Sequence, residues 1–225
     1  MPEPSPEIHV VHTRPEPAEA GDRNTIGGWP ILAAGEAWPL CYCGERMVFF
    51  FQVDVPPGVP AFGGHHLLVF QCPTHDDVAV GPAQLPERFW DEAAEPYEGP
   101  FWRILFRTAG APAADADPYL QGHRLAVRPD TESVDEYGRG SQGFKLGGVP
   151  SWAQYPEHYR CACGTDLAFV CQVPENFGFD MWPMKAQQSG GTSDDQVHLF
   201  LGSEIYILAC PARCHPEAAW PVLQN

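Results

Sequence analysis

This sequence predicts a mainly β fold (β-rich α+β), a tandem duplication of a β-sheet unit bearing a zinc-knuckle-like hairpin, with few short helices. Three observations predict it. Thr25-Ile-Gly-Gly-Trp-Pro30, Cys41-Tyr-Cys-Gly44 and Met47-Val-Phe-Phe-Phe-Gln-Val53 return as Lys145-Leu-Gly-Gly-Val-Pro150, Cys161-Ala-Cys-Gly164 and Leu167-Ala-Phe-Val-Cys-Gln-Val173, every matched pair 120 positions apart. A fixed period without gaps marks a repeated unit. The 25 prolines and 22 glycines interrupt helices and favour short strands joined by turns. The apolar runs are themselves short and end in turn residues.

Taken in order, residues 1–21 alternate Pro and Glu around one β-like run, Ile8-His-Val-Val-His12, and are expected to be a flexible tail. His9 and His12 are metal ligands by type alone and read as exposed bystanders. The first repeat, with its zinc site, spans 22–118. It opens with the Gly-Gly-x-Pro turn, where glycine permits positive φ and proline sets the bend. There follow the Cys-x-Cys-Gly turn, a strand over 46–55, a Pro-Gly loop and a strand over 65–72. A helix is expected over 85–95, with Pro86 near its start and acidic groups in its first turns, then a strand over 101–108. Residues 110–118 are small and proline-punctuated, as a junction would be.

The second repeat, 119–225, starts with a strand over 123–128 and an acidic turn over 130–136, either a solvated loop or a docking site for a basic partner. Its repeated elements follow. Gly64 and Gly202 each stand eight residues before a third cysteine, Cys72 or Cys210, with Leu67-Leu-Val-Phe70 and Ile205-Tyr-Ile-Leu208 between. From Cys43 to Cys72 is 29 residues, and from Cys163 to Cys210 is 47. The surplus is one insertion over 176–195 whose Phe, Trp and Met side chains suit either a contact surface or a lid over a core edge. The two repeats are expected to pack as one globular unit.

Thirteen basic against 29 acidic side chains give a formal charge of −16. Such a field repels phosphate backbones and anionic membranes and attracts basic proteins. The expected partner is a basic protein, with no nucleic acid and no membrane. The N-terminus has no positive n-region or apolar h-region, and no apolar run is long enough to span a bilayer. A cytoplasmic location follows, and there eight cysteines in C-x-C and C-x-x-H patterns read as metal ligands.

Zinc takes four N or S ligands tetrahedrally. Residues i and i+2 of an extended segment face the same way, so each C-x-C can grip one ion, and the next glycine lets the chain turn away. The two sets are Cys41, Cys43, Cys72 and His75, and Cys161, Cys163, Cys210 and Cys214, for two zinc ions per chain. His215 is an alternative to Cys214. A disulfide within C-x-C competes, but an extended pair puts its Cα atoms near the upper limit of about 6.8 Å for a bridge. Cys171, where the first copy has Phe51, reads as a buried hydrophobe.

Leu146-Gly-Gly-Val-Pro-Ser-Trp152-Ala-Gln154, Cys161-Ala-Cys-Gly164, Phe169-Val-Cys-Gln172-Val and Ile205-Tyr-Ile-Leu-Ala-Cys210-Pro resemble the YwqG-like family of bacterial proteins, and more distantly the amino-terminal part of programmed-cell-death-2-like proteins. The resemblance covers about 22–80 and 144–215. The first copy has Leu32 and Ala34 in place of Trp152 and Gln154, and both copies have C-x-C where the relatives usually show C-x-x-C. The resemblance implies a duplicated, mainly β fold with structural metal. The eukaryotic relatives are thought of as escorts for a ribosomal protein.

There is no nucleophile elbow, Walker loop, HExxH or Rossmann glycine pattern. The paired carboxylates Asp76 with Asp77 and Asp194 with Asp195 are adjacent and point to different faces if extended. The reading leans against an enzyme and assigns no catalytic residue. It predicts a non-catalytic, zinc-stabilised protein-interaction module, an escort or immunity-type binder. The alternatives are a zinc/thiol redox switch, or a metal-dependent hydrolase if one site keeps an open coordination position.

Overall fold

The computed structural model describes residues 7–76, 81–93, 95, 97–188, 190–191 and 193–225. Its strands are β1 (Glu7–Pro17), β2 (Thr25–Ile26), β3 (Ile31–Leu32), β4 (Val48–Asp54), β5 (His66–Gln71), β6 (Trp102–Arg107), β7 (Ala111–Pro112), β8 (His123–Thr131), β9 (Lys145–Leu146), β10 (Ala168–Val173), β11 (Gly178–Asp180), β12 (Gln196–His198), β13 (Glu204–Ala209) and β14 (Ala219–Gln224). The protein is mainly β. Aromatic and β-branched runs such as Val48-Phe-Phe-Phe51 suit a pleated surface, and β4 and β5 are buried almost end to end.

Ten strands form one sheet in the order β14-β13-β10-β9-β1-β8-β2-β4-β5-β6, and β3 pairs β7 and β11 pairs β12 separately. The sheet nearly closes on itself. Trp102 of β6 meets Trp220 of β14 edge-to-face at 5.5 Å, and Phe106 N donates to Pro216 O at 2.8 Å in the loop before β14.

Positions 120 apart occupy matching places in this sheet. Thr25 pairs Gln52 and Ile26 pairs Phe51, as Lys145 pairs Gln172 and Leu146 pairs Cys171. The β4–β5 ladder shifts register between Phe49 and Phe51, and the β10–β13 ladder between Phe169 and Cys171. Gln52 and Gln172 are polar and fully buried because each anchors the segment after its Gly-Gly turn. Ile31 N donates to Gln52 Oε1 at 2.9 Å and Ser151 N to Gln172 Oε1 at 3.0 Å. Gly27, Gly28, Gly147 and Gly148 all take positive φ, the conformation glycine adopts at least cost.

Several expectations change. Glu7–Pro17 is not a loose tail but a strand paired with β8 on one side and β9 on the other. Its Pro-Glu end stays exposed, yet backbone pairing still orders it. The sheet runs continuously across the 118/119 boundary, with β8 between β1 and β2. The helix over 85–95 is absent among its described residues, which form turns and bends with Arg88 at φ 56°. Leu85, Phe89 and Trp90 are buried as a helical stripe would be, but the backbone bonds elsewhere, Leu85 N to Arg160 O at 2.9 Å. Tertiary pairing overrides a weak propensity.

The acidic turn is largely consumed internally. Glu132 pairs Lys145 at 2.8 Å with both side chains buried, and Asp135 pairs Arg139 at 2.9 Å. The insertion divides between its two readings. Phe179 and Met181 are buried, with Phe179 against Phe50 at 4.9 Å, while Trp182 and Met184 are exposed. Of the paired carboxylates, Asp77 lies outside the described residues, and Asp194 and Asp195 are exposed. Among the described residues, no helix is long and apolar enough to cross a membrane.

Candidate metal centres

Each C-x-C sits on a turn, not on an extended segment. Gly44 N donates to Cys41 O at 2.9 Å and Gly164 N to Cys161 O at 2.8 Å, and Cys41 N and Cys161 N reach the carbonyls of Glu45 and Thr165. Isolated bridges Leu40 to Arg46 and Arg160 to Asp166 seal the two loops. Gly44 and Gly164 take φ of 89° and 88°, which is why glycine ends both. The turn, rather than strand alternation, brings the two sulfurs to one side. The third cysteine follows β5 or β13 directly, so each hairpin delivers it to the same end.

The structure brings together all eight residues singled out by spacing. Cys41, Cys43, Cys72 and His75 form one cluster and Cys161, Cys163, Cys210 and Cys214 another, with ligand atoms within 4.8 Å of one another in each. Cys41 Sγ and Cys72 Sγ each lie 3.5 Å from His75 Nδ1, and Cys43 Sγ is 3.9 Å from Cys72 Sγ. Cys161 Sγ to Cys214 Sγ and Cys163 Sγ to Cys210 Sγ are both 3.5 Å. Tetrahedral zinc has edges of about 3.8 Å between sulfurs and about 3.5 Å between sulfur and imidazole nitrogen. A disulfide needs about 2.05 Å, and all eight cysteines are free. Both clusters could hold a metal ion.

Two sulfurs of each set are buried, Cys41 with Cys72 and Cys161 with Cys210, while Cys43, Cys163 and Cys214 are exposed. Burial pushes the Cys41, Cys72, Cys161 and Cys214 thiols up. A coordinated cation reverses that balance, since a coordinating thiol is deprotonated. Cys163 is brought down to about 6, chiefly by the Thr165 hydroxyl, whose Oγ1 lies 3.4 Å from its sulfur. Thr165 was not read from the sequence, although its place one residue past the knuckle glycine is a usable signal. Tyr42 tilts over His75 with ring centroids 4.6 Å apart.

His215 is outside the second cluster. It stacks on Trp90 at 4.1 Å, and its Nδ1 accepts from Glu217 N at 3.2 Å. Cys171 is fully buried in β10, with burial pushing its thiol up. His9 and His12 join neither cluster; His9 is buried on β1 and His12 exposed. Trp152 packs on Tyr206 at 4.4 Å, and Gln154 Nε2 donates to Asn225 O at 2.8 Å.

No protein-family model matches this chain, and no curated protein matches it at a significant level.

Proposed function

We propose that the protein is a non-catalytic, zinc-stabilised interaction module of duplicated, YwqG-like architecture, working in the cytoplasm on a basic protein partner. The observation that carries this reading is that each cluster gathers four donor atoms within 4.8 Å of one another, and four protein ligands make a closed, fold-stabilising site. Matching register and matching bulges 120 positions apart support descent of the halves from one unit. With zinc, three thiolates and one imidazole leave about one net negative charge and four thiolates about two, adding to an acidic surface suited to a basic partner rather than nucleic acid.

Metal content per chain by native mass spectrometry, on untagged protein purified without added zinc, tests it. Two zinc ions per chain, with cooperative unfolding on chelation, are expected. A metal-free chain that melts cooperatively with reduced cysteines would overturn the scaffold. A second reading, the zinc/thiol redox switch, is favoured by the solvent exposure of Cys163 and Cys214, since exposed thiolates remain open to oxidants. Zinc released by mild peroxide and recaptured after reduction would identify it.

A further inference from the structure

A groove of about 660 Å³ is walled by Tyr137, Arg139, Trp152 and Tyr155. It shares Arg139 and Trp152 with a neighbouring pocket of about 520 Å³ whose lining includes Glu175 and Glu204. Tyr137 and Tyr155 are 75% and 89% exposed, so two rings stand largely uncovered beside a buried tryptophan. Isolated exposed apolar groups are common on any surface, but rings gathered on a concave one are how contact sites are built.

The charges in the groove decide its occupant. Arg139 is committed to Asp135 at 2.9 Å, and Lys145, whose field reaches Glu204, is committed to Glu132 at 2.8 Å. Glu204 accepts from Gln172 Nε2 at 2.7 Å and Glu175 N at 2.8 Å. Among the described residues it has no ion-pair partner, and its neighbour Glu175 carries the same charge. A carboxylate half withdrawn from water beside a like charge favours an incoming cation. The exposed face of Tyr155 favours one as well, that of Tyr137 already facing the Arg139 guanidinium at 5.2 Å.

We propose that this joined groove binds an extended peptide segment of a partner protein, a proline or other apolar residue lying against Trp152 and Tyr155 and a neighbouring Arg or Lys reaching Glu204 and Glu175. This rests on the interaction reading above and assigns it a surface. Neither metal cluster lines the groove, so the site does not depend on which ion they hold.

Selection from a displayed library of random linear peptides against the full chain, followed by fluorescence anisotropy of the winners, tests the assignment. Enriched sequences should carry Arg or Lys beside proline or an apolar residue. Tyr155→Ala, at an exposed position, should weaken binding about tenfold or more. Glu204→Gln should weaken the basic peptides and leave their Arg-to-Gln counterparts unchanged. Metal content and thermal melting, measured on every variant, exclude misfolding. Enrichment of acidic peptides, no enrichment, or binding indifferent to Tyr155→Ala would overturn the groove. If binding is instead lost in Trp182→Ala and Met184→Ala, the groove is wrong while the interaction module stands.

Discussion

The two Cys/His clusters occupy matching turns but hold different parts of the molecule. Around the first, the backbone–backbone bonds stay within the first half, Tyr42 N to Pro100 O at 3.2 Å and Cys72 N to Phe101 O at 2.7 Å, and one bond crosses, Phe200 N to Gln71 Oε1 at 2.9 Å. Around the second they cross between halves. Arg160 N donates to Ala83 O at 2.7 Å, Gln84 Nε2 to Cys161 O at 2.8 Å, and Phe106 N of β6 to Pro216 O, while Arg103 of β6 reaches Glu217 at 3.4 Å. The same local motif therefore pins a hairpin end in one half and clasps the edges of the sheet in the other.

The largest effect should come from breaking that clasp. Structural zinc sites contribute roughly 10 to 16 kcal/mol of apparent binding energy, against a domain stability of roughly 5 to 15 kcal/mol. Cys161→Ser should remove the second metal and strip hydrogen-exchange protection from β6 and β14, the Phe106 amide included. Cys41→Ser should remove the first metal and expose the 97–101 segment, with β14 still protected. Equal loss of β14 protection in both variants would erase the distinction between the clusters.

A second contrast lies at matched positions on β2 and β9. Thr25 makes a local bond to Gly27 O at 3.0 Å, whereas Lys145 is the buried partner of Glu132 and also donates to Val149 O at 2.6 Å. Removing one member of a buried pair costs about 3 to 5 kcal/mol, since the other charge stays behind. Thr25→Ala should cost about 1 kcal/mol. Urea unfolding of Lys145→Thr and Thr25→Ala measures the gap, and adding Glu132→Gln to the lysine variant should recover part of the loss.

The smallest effect concerns His66 and Glu204, at the starts of the matching strands β5 and β13. His66 is enclosed between Asp54 Oδ1 at 2.9 Å and Gln52 Oε1 at 3.1 Å. Glu204 opens onto a pocket, and burial raises its carboxyl above the model-compound value of 4.5. A raised folded-state carboxyl binds protons that the unfolded chain releases, so wild type should gain stability relative to Glu204→Gln as the pH falls from 7 toward about 4.5. Urea melts at pH 7 and pH 5 test the sign. A difference independent of pH would mean that Glu204 is not held in an unfavourable ionised state. A binding group that costs stability until its ligand arrives is the usual trade at functional sites.

The eight clustered residues were legible because sulfur and imidazole at repeated spacings are distinctive without knowledge of the fold, and a turn and a strand end are local structures. Strands β4, β5 and β6 were legible too, within two residues at each end, because their apolar runs are short and bounded. Residues 85–95 misled because Pro86 and the acidic groups after it suit a helix start, while the backbone at Gln84 and Leu85 pairs with Arg160 instead. The tail misled because composition described the side chains of residues 13–17, which are indeed exposed, and not the backbone ladder that orders them. The Lys145–Glu132 pair had a faint signal, a lysine where the first copy has threonine.

By itself the sequence determined the period, the two Cys/His sets that cluster and the strand-rich class, all carried by residue types at short range. Only the tertiary structure decided that β1 and β8 each pair across to the other half, that one cluster clasps the edges of the sheet, and that the pocket of Tyr137 and Tyr155 adjoins the one Glu204 lines. Those depend on contacts between residues far apart in the chain. Such contacts form when a closing sheet satisfies its backbone bonds and buries its rings together, and no local pattern encodes that requirement.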